Sequence, residues 1–140
     1  MKIKQVDSSK RSVAALLTAL QQTCLPYDKL YETDGGYWWT ATDDSGVACG
    51  FAGLAASVRW GDTGYLCRAG VIPSHRGQGL QKKLIRIRIR KAKALGWQWL
   101  VTDTYHNPAS ANSLIACGFK MFEPTVPWGG AGTVYWRKKV

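Results

Sequence analysis

Between Tyr37 and Ile72, two short turn segments divide the chain into three strand-like runs, and this pattern restricts the fold more than any other. The runs are YWWTAT (37–42), VACGFAGLAASV (47–58) and YLCRAGVI (65–72). The segments between them, Asp43-Asp44-Ser45-Gly46 and Gly61-Asp62-Thr63-Gly64, are built of residues that favour tight turns. Three such runs in series predict an antiparallel meander. After the third run the period changes. Pro73 leads through Gly77-Gln78-Gly79 into Leu80–Leu95, which contains neither Gly nor Pro. The segment IRIRIR (85–90) alternates like a strand, but it lies inside this longer run of good helix formers and reads as helix. Wound as a helix, Lys82, Lys83, Arg86, Arg90 and Lys93 share one side, and Leu80, Leu84, Ile87 and Leu95 share another. Ile85, Ile89 and Ala92 widen the apolar arc, as packing on a sheet requires. Arg88 and Lys91 fit the scheme imperfectly and are expected to snorkel.

The flanking regions complete the order. Residues 2–6 suit an edge or first strand. Asp7, Ser8 and Ser9 then offer side-chain oxygens as N-caps. Val13, Leu16, Leu17 and Leu20 follow at i, i+3, i+4, i+7, a helix that ends before Pro26. Downstream, WQWLVTDT (97–104) reads as a strand, 109–117 as a short helix after Asn107-Pro108, and 119–122 and 133–140 as the last strands. The order β-α-β-β-β-α-β-α-β-β predicts a mixed α/β (α+β) fold. A length of 140 residues suits one domain with one core.

The formal charge of +10 implies an acidic partner: nucleic acid, an anionic cofactor or an acidic substrate. The stretch from Arg76 to Lys93 carries many basic residues and no acid, so nucleic-acid binding is a rival reading. Cys24, Cys49, Cys67 and Cys117 form no CxxC pair and only two histidines accompany them, so no metal site is expected and the cysteines read as buried free thiols. The apolar-rich run 47–58 is too short to span a bilayer, and MKIKQVDSSK lacks the apolar stretch of a signal peptide. The expectation is a soluble, cytoplasmic protein without a membrane partner.

The glycines at 77 and 79 precede a helix N-terminus, whose backbone N–H groups lack intrahelical partners and carry the positive end of the dipole. A Gly-rich turn feeding such a terminus leaves room for a phosphate. Arg76 stands before this turn, with Lys82 and Lys83 just after it. The stretch matches neither the Walker loop nor GxGxxG. With its strand context, however, VIPSHRGQGLQKKLI resembles motif A of the GNAT superfamily of acetyl-coenzyme A-dependent N-acetyltransferases, Arg/Gln-x-x-Gly-x-Gly/Ala. Arg76 and Gly79 match, whereas Gln81 stands where a small residue is usual. NPASANSLIACGF (107–119) is similar to the family's N-x-x-[AS]-x(7)-G-F segment, with Asn107, Ser110, Gly118 and Phe119 in register.

The resemblance implies a single-domain fold with a central, mostly antiparallel, splayed mixed sheet flanked by helices. Strands 65–72 and 97–104 would part to admit acetyl-coenzyme A as cosubstrate. Backbone groups of Ala69, Val71 and Ile72 would pair with the pantetheine amides, Val71 foremost. The N–H groups of Arg76, Gly77, Gln78, Gly79, Leu80 and Gln81 would hold the pyrophosphate, with Asn107 and Ser110 beside the coenzyme's arm. The acceptor would be an amine on a small molecule, peptide or protein, attacked directly in a ternary complex. A basic nucleic-acid-binding module and a coenzyme-binding relative without activity are the alternatives, and a homodimer is left open.

The family's usual general acid, a Tyr seven residues after the Asn, is replaced here by Leu114. Tyr105 is the first substitute, with Ser113 and Cys117 behind it. Asp103 and Glu123 are candidate bases acting through water. A covalent role for Cys67 is disfavoured against a buried thiol. The acceptor pocket is expected from loops 24–37, 57–63 and 123–132, with Asp28, Glu32 and Asp34 attracting the cation and Trp38, Trp39, Trp60 and Trp128 as walls.

Overall fold

The computed structural model describes residues 1–140. Its elements are β1 (Lys2–Val6), α1 (Arg11–Cys24), β2 (Tyr37–Thr42), β3 (Ala48–Ala56), β4 (Thr63–Val71), α2 (Leu80–Ala94), β5 (Trp99–Tyr105), α3 (Pro108–Ala116), β6 (Lys120–Phe122) and β7 (Thr133–Lys139). The seven strands form one sheet in the order β1-β2-β3-β4-β5-β7-β6. The expected meander is β2-β3-β4, antiparallel throughout. The only parallel neighbours are β4 and β5, as a crossover through α2 requires.

The sheet is covered on both faces because successive strand residues point to opposite sides. Trp38 packs with Phe51 against Leu17, Leu20 and Cys24 of α1. Trp39 packs the other way, with Leu54, Leu66 and Leu100, against Ile85 and Ile89 of α2 and Leu114 of α3. Both indoles are 2% exposed. They are core residues and not the expected pocket walls. Leu84, fully buried among Ala41, Ala52, Val71 and Leu80, anchors α2 under the sheet. Leu84→Ala is expected to lower the unfolding free energy by about 2–5 kcal/mol in denaturant titration. A loss under about 1 kcal/mol would contradict this packing.

IRIRIR is helical, and Ile85 and Ile89 face the core. Arg88 does not snorkel. It is 3% exposed, its Nε donates to the Leu84 carbonyl at 3.0 Å and its Nη1 to the Gly53 carbonyl at 3.1 Å. Burial pulls its guanidinium down to about 10, so it stays charged at neutral pH. The register explains its place. Ala52 pairs with Ala69 and Leu54 with Leu66, so β4 carries one residue more than β3 opposite Gly53. This bulge interrupts the ladder, and Arg88 takes up the Gly53 carbonyl there.

The N-cap expectation also changes. Lys10 is the N-cap of α1 and makes no side-chain cap bond. Asp7 Oδ1 instead accepts from the Ser9 N–H and hydroxyl, closing a local turn ahead of the helix. All four cysteines are free thiols, with Cys24 and Cys49 buried and Cys67 and Cys117 partly so. No helix is long and apolar enough to cross a membrane.

The feature that positions the site is a divergence. β4 and β5 pair only at Thr63–Trp99, Gly64–Leu100 and Tyr65–Val101. Beyond that point Thr102 Oγ1 donates to the Leu66 carbonyl at 2.9 Å, and the strands separate while β5 continues along β7 to Tyr105.

Candidate active site

The chain leaves β4 through Ile72 and a 3-10 turn, Pro73–His75. Ile72 donates to the Cys49 carbonyl and accepts from His75 N–H, so its backbone is engaged within the protein. His75 Nε2 lies 2.8 Å from Asp43 Oδ2, and its Nδ1 lies 2.8 Å from Ser74 Oγ, tying this turn to the β2–β3 hairpin. Hydrogen bonds from Val47 N–H, His75 and Ser45 N–H hold the Asp43 carboxyl below its ordinary value. Gly77 and Gly79 then adopt φ of 80° and 79°, a left-handed backbone that disfavours any residue with a Cβ.

Lys83 N–H to the Gly79 carbonyl is the first bond of α2. The N–H groups of Gly77, Gln78, Gly79, Leu80, Gln81 and Lys82 have no acceptor within the protein. A Cβ built on Gly77 or Gly79 meets nothing within 4 Å, so the space before these groups is open. A cavity of about 480 Å³ fills it, bounded by Val71, Gly79, Gln81, Asn107 and Ser110. Arg76 Nε turns back to the Val71 carbonyl at 3.0 Å, and its N–H is bonded to the Pro73 carbonyl, so its backbone does not join the open run.

Gln81, which breaks the small-residue pattern, swings toward α3, where its Nε2 donates to Ser110 Oγ at 2.8 Å. The side chain thus bridges two helices. Asn107 Oδ1 accepts from Ser110 N–H and caps α3. Gln78 is exposed and its side chain borders a different groove, with Asp43 and Lys83. Leu80 buries its side chain in the core while its N–H faces outward.

The cavity continues between the strands, where a second volume of about 440 Å³ shares Leu25, Ala69, Gln81, Asn107 and Ser110 with the first. On β4 the backbone orientation follows from the ladder. Ile72 N–H bonds to Cys49, so Gly50–Val71 and Ala52–Ala69 are the pairs without mutual hydrogen bonds. The N–H and C=O groups of Val71 and Ala69 therefore point away from β3, into the gap. The bulge residues Cys67 and Arg68 line the same gap.

Tyr65 and Asp103 stand at its closed end, and Tyr105 lies further along β5 toward the open end. Asp103 Oδ2 accepts from the Tyr65 hydroxyl at 2.9 Å and from Trp128 Nε1 at 2.8 Å, leaving Oδ1 without a protein partner. Burial, with the Asp103 charge beside it, pushes the Tyr65 phenol far above its ordinary value, so it remains a donor. Tyr105 is 60% exposed and packs edge-on against His106 at 4.2 Å. Glu123 is not brought here. It is exposed and lines a separate groove with Phe122 and Pro124. Leu114 is buried in the core. Ser113 borders the first cavity, and Cys117 lies 3.9 Å from the Lys82 carbonyl. Burial pushes the Cys67 thiol up, away from the thiolate a nucleophile needs.

Of the expected acids, Asp28 lines the gap but is paired with Arg68 at 2.9 Å, while Glu32 and Asp34 are exposed on their loop. Two site residues escaped the sequence reading. Tyr65 carried a signal, since it lies two residues before Cys67 on one strand, the spacing of a shared face. Arg88 also carried one, standing four residues after Leu84 inside the apolar arc.

The comparisons agree with this fold. The model of the acetyltransferase (GNAT) family matches residues 10–119. No curated protein matches the chain significantly in sequence. Among solved structures, the chain is similar to an IAA acetyltransferase from Bacillus cereus ATCC 14579, at 19% identity and a TM-score of 0.78 over 99% of both chains. It is similar to the ribosomal-protein-S18-alanine N-acetyltransferase of Escherichia coli, at 14% identity and a TM-score of 0.76 over 99% of this chain and 92% of that one. A Bacillus subtilis acetyltransferase in complex with CoA gives 17% identity and a TM-score of 0.75 over 99% and 98%.

Proposed function

Because this chain belongs to the acetyltransferase (GNAT) family, we propose that it transfers an acetyl group from acetyl-coenzyme A to an amine by direct attack in a ternary complex. The observation that carries this reading is the run of unpaired N–H groups from Gly77 to Lys82 at the mouth of the β4–β5 gap. Such a run, at the positive end of α2, fits a pyrophosphate. Val71 and Ala69 offer outward N–H and C=O groups to the pantetheine amides, as an added strand would use them. Val71 keeps this capacity although Arg76 touches its carbonyl, because a carbonyl oxygen has two lone pairs. Asn107 and Ser110 border the arm. Bound there, the coenzyme supplies an activated acetyl thioester.

The protein's part is placement and proton handling. Asp103 Oδ1 takes the proton of the incoming ammonium, directly or through a water. Backbone N–H groups at the Cys67–Arg68 bulge stabilise negative charge on the carbonyl oxygen. Tyr105, at the end of β5, returns a proton to the departing sulfur, a task the buried Leu114 side chain cannot perform. Cys67→Ala is expected to keep kcat within about threefold. Loss of activity in this variant, with an acetylated protein detected by mass in the parent, would overturn direct attack.

The test pairs binding with chemistry. Acetyl-coenzyme A at a hundred times its Kd should stabilise the fold by about 2.7 kcal/mol, and mass analysis with an amine panel should show acetylated product. Binding without any product would favour the inactive relative. Neither, with tight salt-sensitive DNA binding instead, would favour the basic face of α2 as a nucleic-acid surface.

A further inference from the structure

We infer that the acceptor is a small monocation, a primary amine carried on a single ring-sized apolar group with no second positive charge. This rests on the acyl-transfer reading and deepens it. The observations come from the side of the gap opposite the coenzyme mouth. There a cavity of about 210 Å³ opens beside Asp103 and shares Tyr31 and Tyr65 with the gap. Its walls are Tyr31, Tyr65, Trp60 and Trp128, with Ala55 and Val101 between them and Arg59 as the one charged residue of the lining. An apolar cavity of roughly 150 Å³ holds a benzene ring, and drug-sized pockets start at roughly 300 Å³. The volume suits one ring and a short linker.

The walls are held by their own contacts. Trp60 meets Trp128 edge-on at 5.9 Å, and Trp128 meets Tyr135 edge-on at 4.6 Å. Gly129 N–H donates to the Tyr135 hydroxyl, fixing the loop that carries Trp128. Two of the side chains that wall the cavity, Tyr65 and Trp128, are the two that donate to Asp103 Oδ2. One arrangement therefore shapes the pocket and leaves Oδ1 of Asp103, which lines the adjoining gap, without a protein donor. A ligand with an apolar ring and an ammonium a short linker away satisfies both.

The surrounding charges define what is refused. The Arg59 guanidinium lies over the Trp128 ring at 5.2 Å. Arg68 lies over the Tyr31 ring at 5.8 Å and already engages Asp28. Arg88 is buried beneath the gap. Three guanidiniums thus line the cavity and the gap around Asp103. A polyamine, an aminoglycoside or a lysine-rich peptide would carry its second cation toward Arg59 or Arg68, where like charge repels it.

The experiment reads binding, so it does not depend on turnover. The protein saturated with coenzyme A, the product form, is titrated with 2-phenylethylamine, ethylamine, spermidine and a lysine-rich peptide, by calorimetry and tryptophan fluorescence. Phenylethylamine should bind at least tenfold more tightly than each of the others. Trp128→Ala and Trp60→Ala should each weaken it about tenfold while leaving coenzyme affinity unchanged. Arg59→Glu should strengthen spermidine binding. Tighter binding of spermidine or the peptide, indifference to both tryptophan variants, or no amine binding to a coenzyme-loaded protein would overturn the inference. Failure of the coenzyme itself to bind would overturn the acyl-transfer reading first.

Discussion

Gly79→Asp is expected to weaken coenzyme binding at least a hundredfold while leaving the protein folded. The residue has φ of 79°, where a side chain costs roughly 1–2 kcal/mol, although Asp tolerates this region better than most. A Cβ there meets nothing within 4 Å, so no clash adds to that cost. The new carboxylate would accept from the free N–H groups of the first turn of α2, as an N-cap does, and contribute about 1 kcal/mol. The two effects nearly offset each other in stability. In binding they do not, because the protein then carries its own anion where the pyrophosphate belongs. Acetyl-coenzyme A affinity should fall at least a hundredfold, roughly 2.7 kcal/mol by the relation of about 1.4 kcal/mol per decade. Gly79→Ala introduces the strain without the charge and should lose about tenfold or less. Calorimetry on both separates the causes, and an unchanged Kd in Gly79→Asp would move the phosphate site elsewhere.

Asp103→Asn has the second largest effect, and on rate. Asn can turn its carbonyl oxygen to Tyr65 and Trp128, preserving both contacts, and place its amide nitrogen where Oδ1 stood. The geometry survives and the proton acceptor does not. Removal of a positioned general base should lower kcat/KM by about 10²–10⁴, with coenzyme affinity unchanged. Steady-state kinetics beside calorimetry make the distinction. A rate within threefold of the parent would return the basic role to solvent or to another residue.

The architecture was legible because its signals are local. The turns at 43–46 and 61–64, the glycines at 77 and 79 and the caps at Asn107 act within a few residues of themselves. What failed depends on contacts distant in sequence. YWWTAT reads as a strand from its composition, but only coverage of both faces by helices decides that Trp38 and Trp39 go to two different cores. Arg88 sits under the sheet because a register shift between β3 and β4 leaves the Gly53 carbonyl to be satisfied, and no single strand records that shift. Asp28 looked like a lure for cations until Arg68, forty residues away, was found against it. Gln81 stands where the pattern has a small residue, and its side chain leaves toward Ser110 on a helix the local pattern does not see. The sequence offers Asp103 and Glu123 equally as bases acting through water, and only the fold brings Tyr65 and Trp128 to Asp103.

The parting of β4 from β5 has a consequence for solubility. Beyond Tyr65, β4 is a sheet edge in the middle of a sheet, and an edge with open N–H and C=O groups is a template for pairing with other chains. Proteins blunt such edges with charge or by covering them. Here Arg68 stands at the bulge and Arg76 folds its guanidinium onto the Val71 carbonyl, so both ends of the open stretch carry a cation. A ligand lying in the gap would finish the covering. The opening therefore carries an edge's pairing groups inside the sheet, with an arginine at either end of the exposed stretch.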